Sequence, residues 1–198
     1  MTKTDPILLY HPSDEAKHVR ISTYKRWCNA KKKDDIADFI YKRHYWRYIK
    51  PFEFEDLTYI KEYNNGFAIM ACCCLLIETL ESFYRGLAQS RNELNFLKFF
   101  TRDEEFKEFA IDDIPSQFYK HIRCGILHQG ETTGGWTINR KSAKLLDKSN
   151  RKINASLFLK KLKQSLENYR ETLKNSDWNS PVWENLRDKL KSVLKNCA

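Results

Sequence analysis

Apolar residues recur along this chain at helical spacing, and the longest apolar stretch sets its centre. From Asn64 and Asn65 the sequence runs GFAIMACCCLLIETLESFYRGLAQS, which predicts a central helix over about residues 66–90. Its first three turns are apolar on every side, so the pattern predicts burial all round. The polar residues Glu78, Glu81, Ser82 and Arg85 enter only further on, with Glu81 and Arg85 at the i,i+4 spacing of a helical ion pair. After Asn154, Leu157, Leu162, Leu166, Tyr169 and Leu173 recur at three- to five-residue steps, while Lys160, Lys161, Lys163, Arg170 and Lys174 fill other positions. Ser180 and Pro181 open a last helix with Val182, Leu186, Leu190, Val193 and Leu194 as its stripe.

Ahead of the central helix, Ile7–Tyr10 between Pro6 and Pro12 reads as an extended arm or short strand. Ser13, with Asp14 and Glu15 in the first turn, caps a helix to about Asn29. Asp34 or Asp35 caps the next, which carries IADFIYKRHYWRYIK until Pro51 stops it. This helix interleaves Tyr41, Tyr45, Trp46 and Tyr48 with Lys42, Arg43, His44, Arg47 and Lys50. Rings and cations together are what a single-stranded nucleic acid site uses. The plainer reading, which we prefer, has the rings packed and the long basic chains snorkelling.

Thr101 and Glu104 have the spacing of a capping box and predict a short acidic helix towards Asp113. Pro115 then opens a helix holding Tyr119, His121, Arg123 and His128, which breaks at the turn marked by Gly130, Gly134 and Gly135. Trp136–Ile138 is expected to pair with Lys144–Asp147 as a small hairpin. There is no dinucleotide loop or P-loop, no internal repeat and no long linker, so 198 residues are read as one all-α domain. Within it, 1–60 form an N-terminal helical extension and 61–198 a core bundle.

Charge adds a partner class. Residues 139–198 hold 15 Lys and Arg against 6 Asp and Glu, whereas residues 1–138 hold 20 of each, so the last third supplies the whole net charge of +9. A basic surface attracts polyanions through a salt-dependent field, which points to RNA or DNA, with Lys160, Lys161, Lys163 and Arg170 as candidate contacts. Three of the six cysteines, Cys72, Cys73 and Cys74, are consecutive; side chains ~100° apart cannot converge on one ion, so we read them as small buried hydrophobes. No metal or cofactor is called for. With no signal-peptide layout at MTKTDPILLY and an apolar run, Phe67–Ile77, shorter than the ~20 residues of a bilayer span, a cytosolic protein without a membrane partner is expected.

The chemistry concentrates at Arg123 and His128. In an unbroken α-helix, residues five apart lie ~140° apart around the axis and ~7.5 Å along it. The two converge only if the helix loosens near Gly125, ends near Gln129 and Gly130, or pairs with a second copy. A histidine at a helix C-terminus is favoured in its charged form and exchanges protons near neutrality, while a guanidinium grips two phosphate oxygens. Such a pair suits metal-free cleavage of a phosphodiester beside a 2′-hydroxyl; a structural hydrogen-bonded pair is the alternative.

An arginine followed by four residues and a histidine, at the end of a helix in a small helical protein, resembles the HEPN superfamily. The resemblance covers the central helix, the motif helix 115–129, the turn with Trp136 and the long helix after Asn154. It implies a HEPN-like bundle with a small β hairpin after the motif helix. It also implies an endoribonuclease of defence or toxin–antitoxin type, with Arg123 and His128 in a composite site between two protomers of a homodimer. His121, Gln129 and Glu131 are candidate assisting groups, and Glu81 a candidate for orienting Arg123 from the central helix. Many catalytic members carry a polar residue directly after the arginine, where this chain has Cys124. The competing expectation is a non-catalytic module that dimerises or binds nucleic acid, an antitoxin or a nucleotidyltransferase-like partner. A metal enzyme ranks last, because no carboxylate–histidine or paired-cysteine spacing is present.

Overall fold

Helices account for most of the computed structural model, which describes residues 5–11, 14–53, 65–89 and 93–197. In chain order they are α1 (Ile21–Asn29), α2 (Lys33–Tyr48), α3 (Gly66–Tyr84), α4 (Glu93–Arg102), α5 (Ile114–Gln117), a π-helical stretch (Phe118–Arg123), α6 (Cys124–Gln129), α7 (Ala155–Asn175) and α8 (Pro181–Cys197). With two small sheets, the protein is mainly α. Its residues divide into two compact units. The first comprises Met1–Trp46, Ser82–Gln89 and Leu166–Ala198, and the second Arg47–Glu81 and Ser90–Ser165. The expected cap Ser13, and Asn64 at the expected entry to the central helix, lie outside the described residues.

In the first unit, the arm does form a strand, β1 (Ile7–Leu9), antiparallel to β2 (Val19–Arg20). The helix expected from Ser13 is shorter for this reason. Asp14 caps only the 3₁₀ turn Glu15–Lys17, and the chain then extends so that buried Val19 pairs with Leu9 before α1 begins. On α2, Arg43 is buried and donates to the Leu8 carbonyl, fixing the arm to the helix. His44 meets Phe83 edge-on at 5.3 Å, and Trp183, fully buried, donates to the Leu173 carbonyl at 2.9 Å.

The second unit is built on phenylalanine. Phe96, Phe99, Phe100, Phe106, Phe109, Phe118 and Phe158 are all fully buried and form one ring cluster, with Phe106 and Phe158 centroids 4.7 Å apart. Three of these residues lie on α4, which the sequence reading left without an element. The capping expectation also shifts: Thr101 is inside α4, and Asp103 caps the 3₁₀ helix Glu104–Phe109 by accepting from the Glu105 amide. Asn154 caps α7 by accepting from the amides of Ser156 and Leu157.

The strands after the motif helix pair differently from the expected hairpin. Thr137–Asn139 (β3) runs parallel to Lys152–Asn154 (β5), and β5 is antiparallel to Leu146–Asp147 (β4), giving the order β3-β5-β4. Asp147 accepts from the Asn150 backbone and side chain, closing a tight turn that brings Ile153 against Leu146. Ile153, fully buried, therefore takes the central place.

Burial all round α3 is also corrected. Ile69, Met70, Cys73, Cys74, Leu76 and Ile77 are buried, but Phe67 is 37% and Leu75 40% exposed, with Ala68 open and Cys72 half-buried between them. These positions share one face of the helix. By length and composition α3 could cross a bilayer, although 61% of its apolar window is packed inside the protein, as in a core helix.

Candidate functional site

The motif helix is anchored at its start and opened in its middle. Pro115 stands in the first turn of α5, and Phe118 inserts between Phe96, Phe100 and Phe158 at 5.1–5.6 Å. From Phe118 to Arg123 the backbone is π-helical, and the Cys124 amide donates to the Tyr119 carbonyl five residues back. A π turn inserts one residue into the α ladder and changes which side chains share a face. Here it sets Tyr119 beside both Arg123 and Cys124, with the Arg123 guanidinium 5.6 Å from the Tyr119 ring centre.

Arg123 is nearly enclosed, at 9% exposure. Its Nε donates to Glu78 Oε1 at 2.9 Å, and its NH1 lies 3.1 Å from His128 Nε2. A guanidinium offers only donors, so this contact requires Nε2 to be the unprotonated nitrogen of the imidazole. Cys124 Sγ lies 4.0 Å from the same NH1. Burial works against the guanidinium charge, but the hydrogen bond and ion pair with Glu78 outweigh it and hold Arg123 above its ordinary pKa. Burial, followed by Cys124, raises the Tyr119 phenol. The two residues five apart thus meet within one chain, through helix loosening.

The helix end is held by the loop that follows. Gly130 takes a left-handed φ of 72° and ends α6. The Thr133 amide donates to the His121 carbonyl at 3.0 Å, His121 Nδ1 and Thr133 Oγ1 are 2.8 Å apart, and Trp136 Nε1 donates to Gln117 Oε1 at 3.2 Å. Two glycines make this return possible. A Cβ on Gly125 would lie 2.4 Å from the Glu131 carbonyl oxygen, and one on Gly134 2.6 Å from the His121 ring. His128 is exposed on this braced end, beside nearly buried Arg123.

The other expected residues distribute as follows. His121 is used by the loop, and its pKa is lowered by burial, then by Lys120 and Arg151. Gln129 and Glu131 are exposed at the turn, the latter giving its amide to the Gly125 carbonyl at 3.4 Å. Glu81 is fully buried and ion-paired with Arg102 at 2.7 Å, so the carboxylate on Arg123 is Glu78, one helical turn earlier. Glu78 is the first charged residue after the apolar run, and that position was its signal. Lys161 is paired with Glu105 at 2.9 Å and Lys163 with Glu53 at 2.6 Å. Arg170 stacks over Tyr41 at 4.6 Å and pairs with Glu167 and Glu171. Lys160 is exposed and makes no ion pair among the described residues.

All six cysteines are free thiols; Cys73 and Cys74 are fully buried, and burial raises both. Among the described residues, no three His, Cys, Asp or Glu side chains gather as a metal site. Compared with protein families, curated proteins and solved structures, the chain finds no match.

Proposed function

We propose that the protein is a HEPN-like, metal-independent endoribonuclease in which Arg123 and His128 carry the reaction. The single observation behind this is the 3.1 Å contact between the Arg123 guanidinium and the bare Nε2 of exposed His128, with Glu78 fixing the guanidinium from α3. When a phosphodiester binds, its non-bridging oxygens take over NH1, and Nε2 is released as a base. The 2′-oxygen gives its proton to Nε2 and attacks phosphorus. The bond to the 5′-oxygen breaks, leaving a 2′,3′-cyclic phosphate and a 5′-hydroxyl. Arg123 offsets the charge that builds on the equatorial oxygens.

The departing 5′-oxygen needs a proton, and His128 of one chain is engaged on the opposite side of the phosphorus. A second copy supplies that acid, which makes the site composite and the working form a homodimer. The exposed apolar face of α3, on the helix that carries Glu78, supports such a pairing. RNA is the substrate, in a cytosolic defence or toxin–antitoxin setting with an antitoxin or nucleotidyltransferase-like partner. The competing role, a non-catalytic dimerisation or partner-binding module, is favoured by Cys124 beside the guanidinium, where the resembling enzymes place a polar group.

The test is RNA cleavage in EDTA by the parent and by His128→Ala, with product ends identified. Cyclic phosphate ends that persist with chelator and vanish in the variant are expected. A folded dimeric parent that cleaves no RNA turns the assignment to the binding module.

A further inference from the structure

The first unit contains a cavity that the proposed ribonuclease chemistry does not use. It measures about 460 Å³ and is enclosed by the arm, the turn after it, α1 and α2. That volume falls within the ~300–1,000 Å³ of small-ligand sites. Part of its wall comes from the aromatic–basic helix noted in the sequence, but most of that pattern is spent elsewhere. Arg43 and His44 are buried, and Tyr41 stacks on Tyr45 at 5.6 Å with 11° between the rings. Only Trp46 and Lys42, with Phe39 behind them, face the cavity.

The arm supplies the rest. Tyr10 is 63% exposed, an unusual position for a tyrosine ring, and lies 4.7 Å from the His18 ring; His11 lies 5.5 Å from Trp46. His18 backs the Tyr10 ring. It is 9% exposed, its Nε2 is 3.1 Å from the His11 carbonyl oxygen, and its Nδ1 is buried with no partner. A carbonyl can only accept, so Nε2 donates to it and fixes the ring beneath Tyr10 at the cavity wall.

The charges at the wall point to an anion at the mouth. Asp38 is neutralised by Lys174 at 2.7 Å, Asp35 stands 4.0 Å from Lys32, and Lys17 is paired with Asp14 at 3.2 Å. Arg26 and Lys42 are exposed and make no ion pair among the described residues. Flat rings and two uncompensated cations ask for a planar aromatic group that carries a phosphate.

We propose that this cavity binds a nucleotide, its base stacked on Tyr10 and Trp46, its 5′-phosphate on Arg26 and Lys42. It is a binding site separate from the Arg123–His128 chemistry, and a mononucleotide has no internucleotide bond for that chemistry to cut.

The experiment is calorimetric titration of the full chain with AMP, GMP, CMP and UMP, then with the preferred base as its nucleoside and, on a His128→Ala background that leaves the internucleotide bond intact, as a 5′-phosphorylated dinucleotide. Saturable one-to-one binding of at least one mononucleotide is expected. Lys42→Glu should weaken it at least tenfold while leaving the nucleoside unchanged, and Trp46→Ala should weaken both. Both positions are exposed, so their folds are checked by melting temperature and expected to match the parent. Equal affinity for the dinucleotide identifies an RNA 5′ end as the source, and preference for the mononucleotide a free nucleotide; either supports the site. No saturable binding of the four, or binding untouched by both substitutions, overturns it.

Discussion

Arg123 Nε donates to Glu78 Oε1 at 2.9 Å, with only 10% and 11% of the two side chains exposed. A charge held this far from water depends on its partner, and removing one member of a buried pair costs about 3 kcal/mol. Glu78→Ala is therefore expected to lower stability by about that amount in chemical denaturation. Glu78→Gln keeps an acceptor for Nε and should lose less stability. Both are expected to cut RNA cleavage by about 100-fold, because a guanidinium free to swing no longer meets phosphorus in register. Cleavage by Glu78→Gln at the parental rate removes Glu78 from the site.

Gly125 and Gly130 make opposite demands on the same turn. A side chain at Gly125 meets the Glu131 carbonyl oxygen at 2.4 Å, a backbone atom that cannot step aside without moving the loop. At Gly130 a Cβ meets nothing within 4 Å, and only the positive φ of 72° is strained. Gly130→Ala should cost about 1 kcal/mol. Gly125→Ala should cost about 1–3 kcal/mol, as overpacking does, and also displace the end of the helix bearing His128. Thermal melts rank the two variants, and a Gly130→Ala protein less stable than Gly125→Ala contradicts the packing.

His121 predicts a pH dependence. Burial, followed by Lys120 and Arg151, lowers its folded pKa below the ordinary 6.5. The unfolded chain therefore takes up a proton first as the pH falls. Stability linked to neutral His121 is complete above about 6.5 and declines as pH drops through the lower folded value. Asparagine can hydrogen-bond Thr133 without titrating. The expected outcome is a flatter dependence of unfolding free energy on pH in His121→Asn between pH 7 and 5 than in the parent.

Much of the helix layout was legible because it follows from apolar period and end signals local in sequence. Pro115, Asn154 and Ser180–Pro181 mark starts that the structure keeps. What could not be read depends on partners far along the chain. β3 chooses β5 over β4 because the Asp147–Asn150 turn brings Ile153 back first. Helix α4 was hidden because its aromatic residues are justified by rings later in the chain, Phe106, Phe109 and Phe118. At the candidate site, the Arg123–His128 spacing was visible, but the carboxylate was assigned one turn late, to Glu81. Helical period gives two acidic residues three apart nearly the same direction, and the tertiary packing decides between them: Glu81 is taken by Arg102, and Arg123 reaches Glu78.

The basic final third of the chain predicts salt-sensitive RNA binding, and the ion pairs divide its residues. Lys161 and Lys163 already face Glu105 and Glu53, and the Glu105 hydrogen bond raises the Lys161 pKa. For either to reach a phosphate, a protein ion pair must break, so little counterion release is gained. Lys160, exposed and without such a pair, is free to replace a cation on RNA. In a plot of log binding constant against log salt, each single-strand phosphate contact contributes a slope of about −0.7. Lys160→Ala on a His128→Ala background, which leaves the RNA intact, should therefore reduce the slope by about that amount. Lys163→Ala should change it less. Equal slopes for parent and Lys160→Ala place the RNA on another face.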